Sequence, residues 1–130
     1  HIKNKIDPAL KKKSVVICDR FTDSTLAYQV YGKNVNINFI NNIHKFILGK
    51  IKPNLTFVLK VSTETSKKRL KKRKTKNRYD NFAQNFYSRA QNSFLKIAKN
   101  KKNYFVLNSS KNDSNLEKKI FKIVSSYLKI

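Results

Sequence analysis

Three short apolar runs, separated by longer segments of helical periodicity, restrict the fold of this chain more than any other feature. The runs cover residues 14–18, 55–61 and 104–107. They are strand-sized and rich in β-branched or aromatic residues, which is typical of strands covered by helices. Because strands joined through helices run parallel, the pattern predicts an α/β fold with a parallel sheet, right-handed crossovers and helices on both faces.

The intervening segments repeat apolar residues every three or four positions, so each predicts a helix with one apolar stripe. The stripes consist of Ile37, Ile40, His44 and Ile47, then Phe82, Phe86, Ala90, Phe94 and Ile97, and finally Leu116, Ile120, Ile123, Val124 and Tyr127. Ser62, just after the second run, is predicted to cap the next helix, with Glu64 in its first turn. His44 lies on an apolar stripe, where packing is the usual role, so we assign it no chemistry.

Length and composition favour a single globular domain over residues 1–130. A chain of this length with 39% apolar residues can bury a sufficient core without disulfides or a structural metal. Cys18 is the single cysteine, so an internal disulfide is excluded, which fits a reducing cytoplasm. No run approaches the roughly 20 apolar residues that a membrane helix needs. We therefore expect a cytoplasmic protein with no membrane partner.

The net charge of +23 has two explanations, and both stay open at this point. A strongly basic chain is typical of nucleic-acid-binding modules. The 25 lysines, 16 asparagines and 12 isoleucines are, however, all favoured by A/T-rich codons, which raise the charge without any partner. The charge is concentrated between Lys67 and Arg78, where nine of twelve residues are basic. This segment predicts contact with an anion, and a solvated basic helix end is the alternative.

A charged pair, Asp19 and Arg20, directly follows the first apolar run. Ligands of open α/β sheets bind beyond the carboxyl ends of the strands, so this position is a candidate site. From these two residues alone, an ion pair that merely ends the strand is an equally good interpretation.

The residues from Ile17 to Gln29 form a more specific pattern. They read Ile-Cys-Asp-Arg-Phe-Thr-Asp-Ser-Thr-Leu-Ala-Tyr-Gln. This stretch resembles the signature of thymidylate kinases: an apolar strand, Asp-Arg-aromatic, two variable residues, Ser, a small polar residue, one variable residue, Ala, an aromatic, and a small or amide residue. Every fixed position fits, which is far more specific than a lone glycine motif. Weaker similarity to the family at residues 52–56, 67–80 and 108–111 extends the resemblance over nearly the whole chain.

The resemblance implies a P-loop kinase-like (Rossmann-like) fold and the transfer of a phosphoryl group from ATP, with Mg²⁺, to dTMP, which forms dTDP for nucleotide biosynthesis. It also implies site residues. The Arg20 guanidinium binds the dTMP phosphate, since an arginine can donate two parallel hydrogen bonds to a phosphate. Asp19 orients Arg20 or holds Mg²⁺ through water. Thr25 and Gln29 face the thymine, and Tyr28 lies against the sugar, where it excludes a 2′-hydroxyl.

Three residues of the signature have alternative interpretations besides those of the family. Ser24 either touches the substrate or caps a helix. Core packing is the alternative for Tyr28, and it is the preferred interpretation for Phe21.

The basic segment resembles the lid of the family, at about residues 67–80, which closes over ATP. Arg69, Arg73 and Arg78 are the candidates for contact with ATP and with the transferring phosphoryl group, and the sequence does not choose among them. Asn108 begins a loop similar to one that lies near the adenine, so it joins the ATP site. Members of the family are usually homodimers, and the resemblance implies a homodimer here.

The sequence departs from the family where the ATP phosphates bind. The P-loop of the family ends in Gly-Lys-Ser or Gly-Lys-Thr, whereas Gly32 and Gly49 lie in no such context. We therefore expect the chain to be truncated at its N-terminus relative to the family. We also expect that the 130 residues alone do not transfer a phosphoryl group from ATP.

Two alternative functions stay open. One is another nucleoside or nucleoside-monophosphate kinase with a different pocket, and the other is a basic nucleic-acid-binding module, for which charge is the sole argument. Under the favoured interpretation, we expect no specific nucleic-acid partner.

Overall fold

The structure is a computed structural model that describes residues 1–72, 84–111 and 114–130. Arg73 and Arg78 of the predicted site, most of the predicted lid beyond Lys72, and Phe82 of the predicted stripe lie outside the described residues.

The described chain combines helices with one pair of strands. The elements are the π-helix π1 (Ile2–Ile6), α1 (Asp7–Lys11), α2 (Thr22–Thr25), the π-helix π2 (Leu26–Gly32), α3 (Ile37–Leu48), β1 (Thr56–Lys60), α4 (Thr63–Lys71), α5 (Gln84–Ala98), β2 (Tyr104–Asn108) and α6 (Ser114–Leu128). They form two compact units, of which the first comprises residues 1–53 and 84–97 and the second comprises 54–72, 98–111 and 114–130.

Strands β1 and β2 of the second unit pair in parallel, in a register that runs from Thr56 opposite Tyr104 to Lys60 opposite Asn108. The Phe57 and Phe105 rings stack across the pair with centroids 5.6 Å apart. Such aromatic pairs add to the stability of a sheet beyond their buried area. The predictions of these two strands, of their parallel pairing and of an α/β chain are confirmed.

Helix α4 starts where the sequence predicts, directly after β1. The Ser62 Oγ accepts a hydrogen bond from the Thr65 backbone N–H at 3.1 Å, and Glu64 lies in the first turn. The side-chain cap satisfies one of the amides that a helix leaves unpaired at its N-terminus, and the carboxylate complements the helix dipole. The predicted cap is confirmed.

The predicted first strand, residues 14–18, does not form, and that prediction is wrong. These residues have no ladder partner within the described part of the chain, and Val15 and Ile17 are 64% and 93% exposed. The chain instead leaves α1 through a turn, in which Lys13 has a φ of 59° and the Ser14 N–H donates to the Ala9 carbonyl. An apolar run favours a strand, but a strand exists only where a neighbouring strand pairs with it.

The core of the first unit lies against α5. Phe86, Ala90 and Ile97 of the predicted stripe are buried, and Ala27 of π2 is fully buried. Helix α3 begins at the cap residue Asn36, whose Oδ1 accepts from two backbone amides, and it contributes the buried Ile40. Ile47, from the same predicted stripe, is half-exposed instead. None of the helices in the described ranges has the length and apolar character needed to cross a bilayer.

Candidate functional site

Arg20 occupies an unusual backbone conformation next to an aromatic ring. Its φ of 65° lies in the left-handed region, which few residues other than glycine adopt. Its guanidinium carbon is 5.5 Å from the centroid of the Tyr28 ring, which is within cation–π range. The Cys18 thiol lies 3.5 Å from the Arg20 carbonyl oxygen. The residue as a whole is exposed.

The residues of the signature after Arg20 lie on two consecutive helices. Ser24 and Thr25 belong to α2, Tyr28 and Gln29 belong to π2, and all four are half-buried. Helix α2 has Phe21 at its cap position, without a side-chain cap, so the interpretation of Ser24 as a cap is wrong. The predicted contacts of these residues with a nucleotide stay predictions.

The Tyr28 ring packs against α5. It stacks on the Phe86 ring with a centroid distance of 6.0 Å and an interplanar angle of 29°. The Phe94 ring meets it edge-on, also at 6.0 Å, with an angle of 77°. The Tyr28 ring therefore packs against other side chains, as the alternative interpretation has it. This packing does not exclude a contact of Tyr28 with the sugar.

Helix α5 also holds the end of π2. The Arg89 guanidinium donates to the Gly32 carbonyl oxygen at 3.0 Å, at the point where a helix leaves its last carbonyls unpaired. The Lys96 ammonium lies 5.3 Å from the centroid of the Tyr31 ring. Sequence reasoning missed Arg89, because a side chain that binds a backbone carbonyl leaves no pairing signal in the sequence.

Asp19 is an exposed carboxylate beside Arg20. Across the described ranges, no three His, Cys, Asp or Glu side chains gather where they could hold a metal. A single carboxylate suits at most one contact to the water shell of Mg²⁺, which needs further oxygen ligands. The described residues therefore do not form a magnesium site of their own, and the metal role of Asp19 stays a prediction.

Arg69 joins α4 to the loop that follows β2. Its Nη2 donates to the carbonyl oxygens of Ser109 and Ser110, at 2.8 and 3.3 Å. Nη2 carries two N–H groups, so this one nitrogen can donate to two neighbouring acceptors. In this structure, Arg69 thus binds backbone carbonyls, whereas the sequence predicts that it contacts phosphate.

The same loop is tied to the ends of both strands. The Ser109 N–H donates to the Lys60 carbonyl at 2.7 Å, and the Ser62 N–H donates to the Ser110 Oγ at 3.3 Å. The Asn108 Oδ1 accepts from the Ser110 N–H at 2.9 Å. These contacts fix the loop backbone directly beside α4.

An open depression of about 280 Å³ lies beside Arg69. Its lining residues are Val61, Ser66, Arg69 and Leu70. Arg69 belongs to the second unit and Arg20 to the first.

The described structure is similar to a solved kinase structure. The crystal structure of thymidylate kinase from Ehrlichia chaffeensis aligns with a TM-score of 0.72 at 27% sequence identity, over 96% of this chain and 58% of that chain. Together with the parallel strand pair, this similarity defines a P-loop kinase-like α/β protein.

Sequence comparisons narrow this class to one family. The model of the thymidylate kinase family matches residues 1–120. Thymidylate kinase from Wolbachia sp. subsp. Brugia malayi (strain TRS) is 43% identical over 101 residues, and that from Prochlorococcus marinus (strain AS9601) is 38% identical over 120 residues. The chain belongs to the thymidylate kinase family.

The chain spans about half the length of the curated relatives it matches. The two alignments cover 77% and 92% of this chain but 47% and 56% of the respective relatives.

Proposed function

We propose that this chain takes part in the ATP-dependent phosphorylation of dTMP to dTDP, with Arg20 as the residue that binds the dTMP phosphate. Membership of the thymidylate kinase family supports the reaction. The resemblance of residues 17–29 to the family signature carries the assignment of the residue, because Arg20 stands where that signature has its arginine, and the family model covers this stretch.

The proposed chemistry needs positive charge at the acceptor. An oxygen of the dTMP phosphate forms a bond to the γ-phosphorus of ATP, the bond from that phosphorus to the β–γ bridging oxygen breaks, and ADP leaves. Two polyanions must approach each other, so a cation held at the acceptor lowers the barrier. An arginine can donate two parallel hydrogen bonds to phosphate oxygens, and Arg20 stays charged because arginine is not deprotonated in proteins. We therefore assign it the role of a clamp.

Thr25 and Gln29 are proposed to bind the thymine. Both are half-buried on the helical stretch that follows Arg20, and both can donate and accept hydrogen bonds. A base that presents a carbonyl oxygen beside an N–H matches an amide side chain, which supports Gln29 as the main determinant of base choice. Tyr28 is proposed to face the sugar, and Ser24 stays a candidate for substrate contact.

Arg69 and Asn108 are proposed to shape the side that binds ATP. Arg69 fixes the loop after β2 through the Ser109 and Ser110 carbonyls, and Asn108 begins that loop. Contact of Arg73 and Arg78 with the transferring phosphoryl group stays a prediction. Mg²⁺ is expected to enter with ATP and to neutralise phosphate charge. A homodimer and a cytoplasmic location are further proposals, which rest on the family and on the single cysteine.

The experiment compares Arg20→Ala with Lys13→Ala. Both changes remove one positive charge from an exposed residue in the left-handed region, at φ 65° and 59°, so they share the electrostatic and backbone costs. Binding of dTMP to the chain is followed by NMR titration. Arg20→Ala is expected to weaken binding by about 10- to 100-fold, as loss of a charge-assisted hydrogen bond predicts, and Lys13→Ala is expected to leave it within about twofold.

Turnover is measured as dTDP formation from dTMP and ATP by the 130-residue chain. The chain alone is expected to form no dTDP, because its sequence contains no P-loop for the β- and γ-phosphates. Equal binding by wild type and Arg20→Ala would overturn the clamp, and thymidine bound more tightly than dTMP would favour a nucleoside kinase.

A further inference from the structure

The last residue of π2, Gly32, is held at its carbonyl group by a side chain from another helix of the first unit. The Arg89 guanidinium of α5 donates to the Gly32 carbonyl oxygen at 3.0 Å, and the two residues are 57 positions apart in the sequence. Hydrogen bonds from a charged donor are stronger than those between neutral groups. Since Gly32 is buried, this carbonyl has restricted access to water, which makes its protein partner more important.

Two further contacts confine the same end of π2. The Gly32 backbone lies so close to the Phe86 ring that a Cβ on this residue would stand 2.6 Å from Phe86 Cε2. Beyond Gly32, the Val35 backbone N–H donates to the Gln29 carbonyl oxygen at 2.9 Å. The main chain of Gln29 is therefore tied to the segment that follows π2, and that segment starts from the residue that Arg89 holds.

The position of this helix end matters for Gln29, which lies three residues before Gly32 and is half-buried. A hydrogen bond weakens steeply when its donor and acceptor lose alignment, so an amide that binds a base must be held within about 0.5 Å. Residues 26–32 are π-helical, a rare form with i→i+5 hydrogen bonds that is often found at functional sites. A change of π2 toward an α-helix would alter the directions of its side chains.

We propose that Arg89 is a positioning residue for Gln29: by holding the Gly32 carbonyl, it keeps π2 in the form that directs the Gln29 amide at the thymine of dTMP. The inference rests on the proposed function, because it assumes that Gln29 binds the base. Arg89 acts through the main chain of π2 and needs no contact with the nucleotide. Its removal should therefore change the choice of base more than the binding of nucleotides in general.

The experiment compares Arg89→Ala with Lys96→Ala. Both residues are exposed on α5, and both changes remove one positive charge. Lys96 also contacts π2, but through the ring of Tyr31 and not through a carbonyl group. Alanine favours helices, so we expect both variants to fold.

Dissociation constants for dTMP and dCMP are measured by NMR titration of the 130-residue chain, and their ratio gives the base preference. The two nucleotides share the sugar and the phosphate. Cytosine, however, presents an amino group and an acceptor nitrogen where thymine presents a carbonyl oxygen and an N–H. A helix end that serves stability alone would weaken the two nucleotides alike and would leave the ratio unchanged.

Arg89→Ala is expected to reduce the preference for dTMP over dCMP by about 3- to 10-fold, mainly through weaker binding of dTMP. Lys96→Ala is expected to leave the ratio within about twofold, because the carbonyl contact stays. Arg89→Lys retains a charged donor on α5 and should recover most of the preference. An unaltered ratio in Arg89→Ala, or the same reduction in Lys96→Ala, would overturn the inference.

A double-mutant cycle with Gln29→Ala tests the route of the effect. If Arg89 acts through Gln29, Arg89→Ala has no further effect on the ratio once Gln29→Ala is present. The same reduction with and without Gln29 would overturn the positioning role. If Gln29→Ala itself leaves the ratio unchanged, the proposed role of Gln29 in binding thymine fails and the inference fails with it. A reduced ratio in Gln29→Ala but not in Arg89→Ala would contradict the inference alone.

A second readout needs no ligand. The Val35 amide reports on the end of π2, because it donates to the Gln29 carbonyl. Arg89→Ala is expected to accelerate hydrogen exchange at this amide about tenfold, and Lys96→Ala is expected to leave it within about twofold. Unaltered exchange at Val35 in Arg89→Ala would show that Arg89 does not hold this end of the helix, and it would overturn the proposal.

Discussion

Replacing Gly32 with alanine is expected to destabilise the first unit by about 1–2 kcal/mol, although alanine favours helices. A Cβ at this position lies 2.6 Å from Phe86 Cε2 and 3.2 Å from Cδ2 and Cζ of the same ring. Carbon atoms pack at about 3.5–4.0 Å, so the ring must move by roughly 1 Å. Phe86 is buried and stacked on Tyr28, so this movement costs about 2–3 kcal/mol of folding free energy. The higher helix propensity of alanine offsets about 1 kcal/mol of that cost.

Urea unfolding followed by circular dichroism measures the effect, and Phe86→Leu identifies its cause. Leucine lacks the atoms of the ring edge, so Gly32→Ala should cost less than about 0.5 kcal/mol in the Phe86→Leu background. Gly49→Ala is the comparison, because a Cβ placed there meets none of the described residues within 4 Å beyond its own chain neighbours, so its loss comes from a φ of 55°. Phe86→Leu should not relieve that loss. A Gly32→Ala chain as stable as wild type, or a loss unchanged by Phe86→Leu, would refute the reasoning.

Three further changes test other contacts. Ser62→Ala removes the side-chain cap of α4 and should lower the free energy of unfolding by about 1 kcal/mol in urea titrations; an unchanged value would argue against the cap. Arg69→Ala removes the guanidinium that donates to both carbonyls, so amide hydrogen exchange at Ser109 and Ser110 should accelerate about tenfold, and unaltered exchange would contradict a role of Arg69 in holding this loop. Gln29→Ala should reduce the preference for dTMP over dUMP in titrations, and an unaltered ratio would count against its role in base choice.

The two strands could be predicted from the sequence because each carries its own boundaries. Pro53 and Asn54 precede β1, and the Ser62 cap follows it, so the hydrophobic run is limited at both ends. Residues 14–18 show the limit of the same reasoning. Their composition favours a strand as strongly, but pairing depends on residues elsewhere in the fold, which composition does not specify.

The candidate site could be predicted only as a set of residues. The signature located Arg20 and Tyr28 on a short stretch, and the helical period marked Phe86 and Phe94 as one apolar stripe. The contact between the two groups required tertiary structure, since α5 lies far along the chain from π2. The left-handed conformation of Arg20 and the π-helical form of residues 26–32 were not expected either. The sequence gives no local signal for a left-handed Arg20, because glycine and asparagine are the usual left-handed residues. Residues 26–32 carry no local signal for a π-helix either.

The loop after β2 is bound mainly through its main chain. Arg69 binds the Ser109 and Ser110 carbonyl oxygens, and the Ser109 amide binds the Lys60 carbonyl. Every amino acid except proline provides these atoms, so exchanging the serine side chains leaves most of the bonds available. Adding or deleting one residue would instead displace all of them together. We therefore expect members of the family to differ in residue type in this loop but to keep its length.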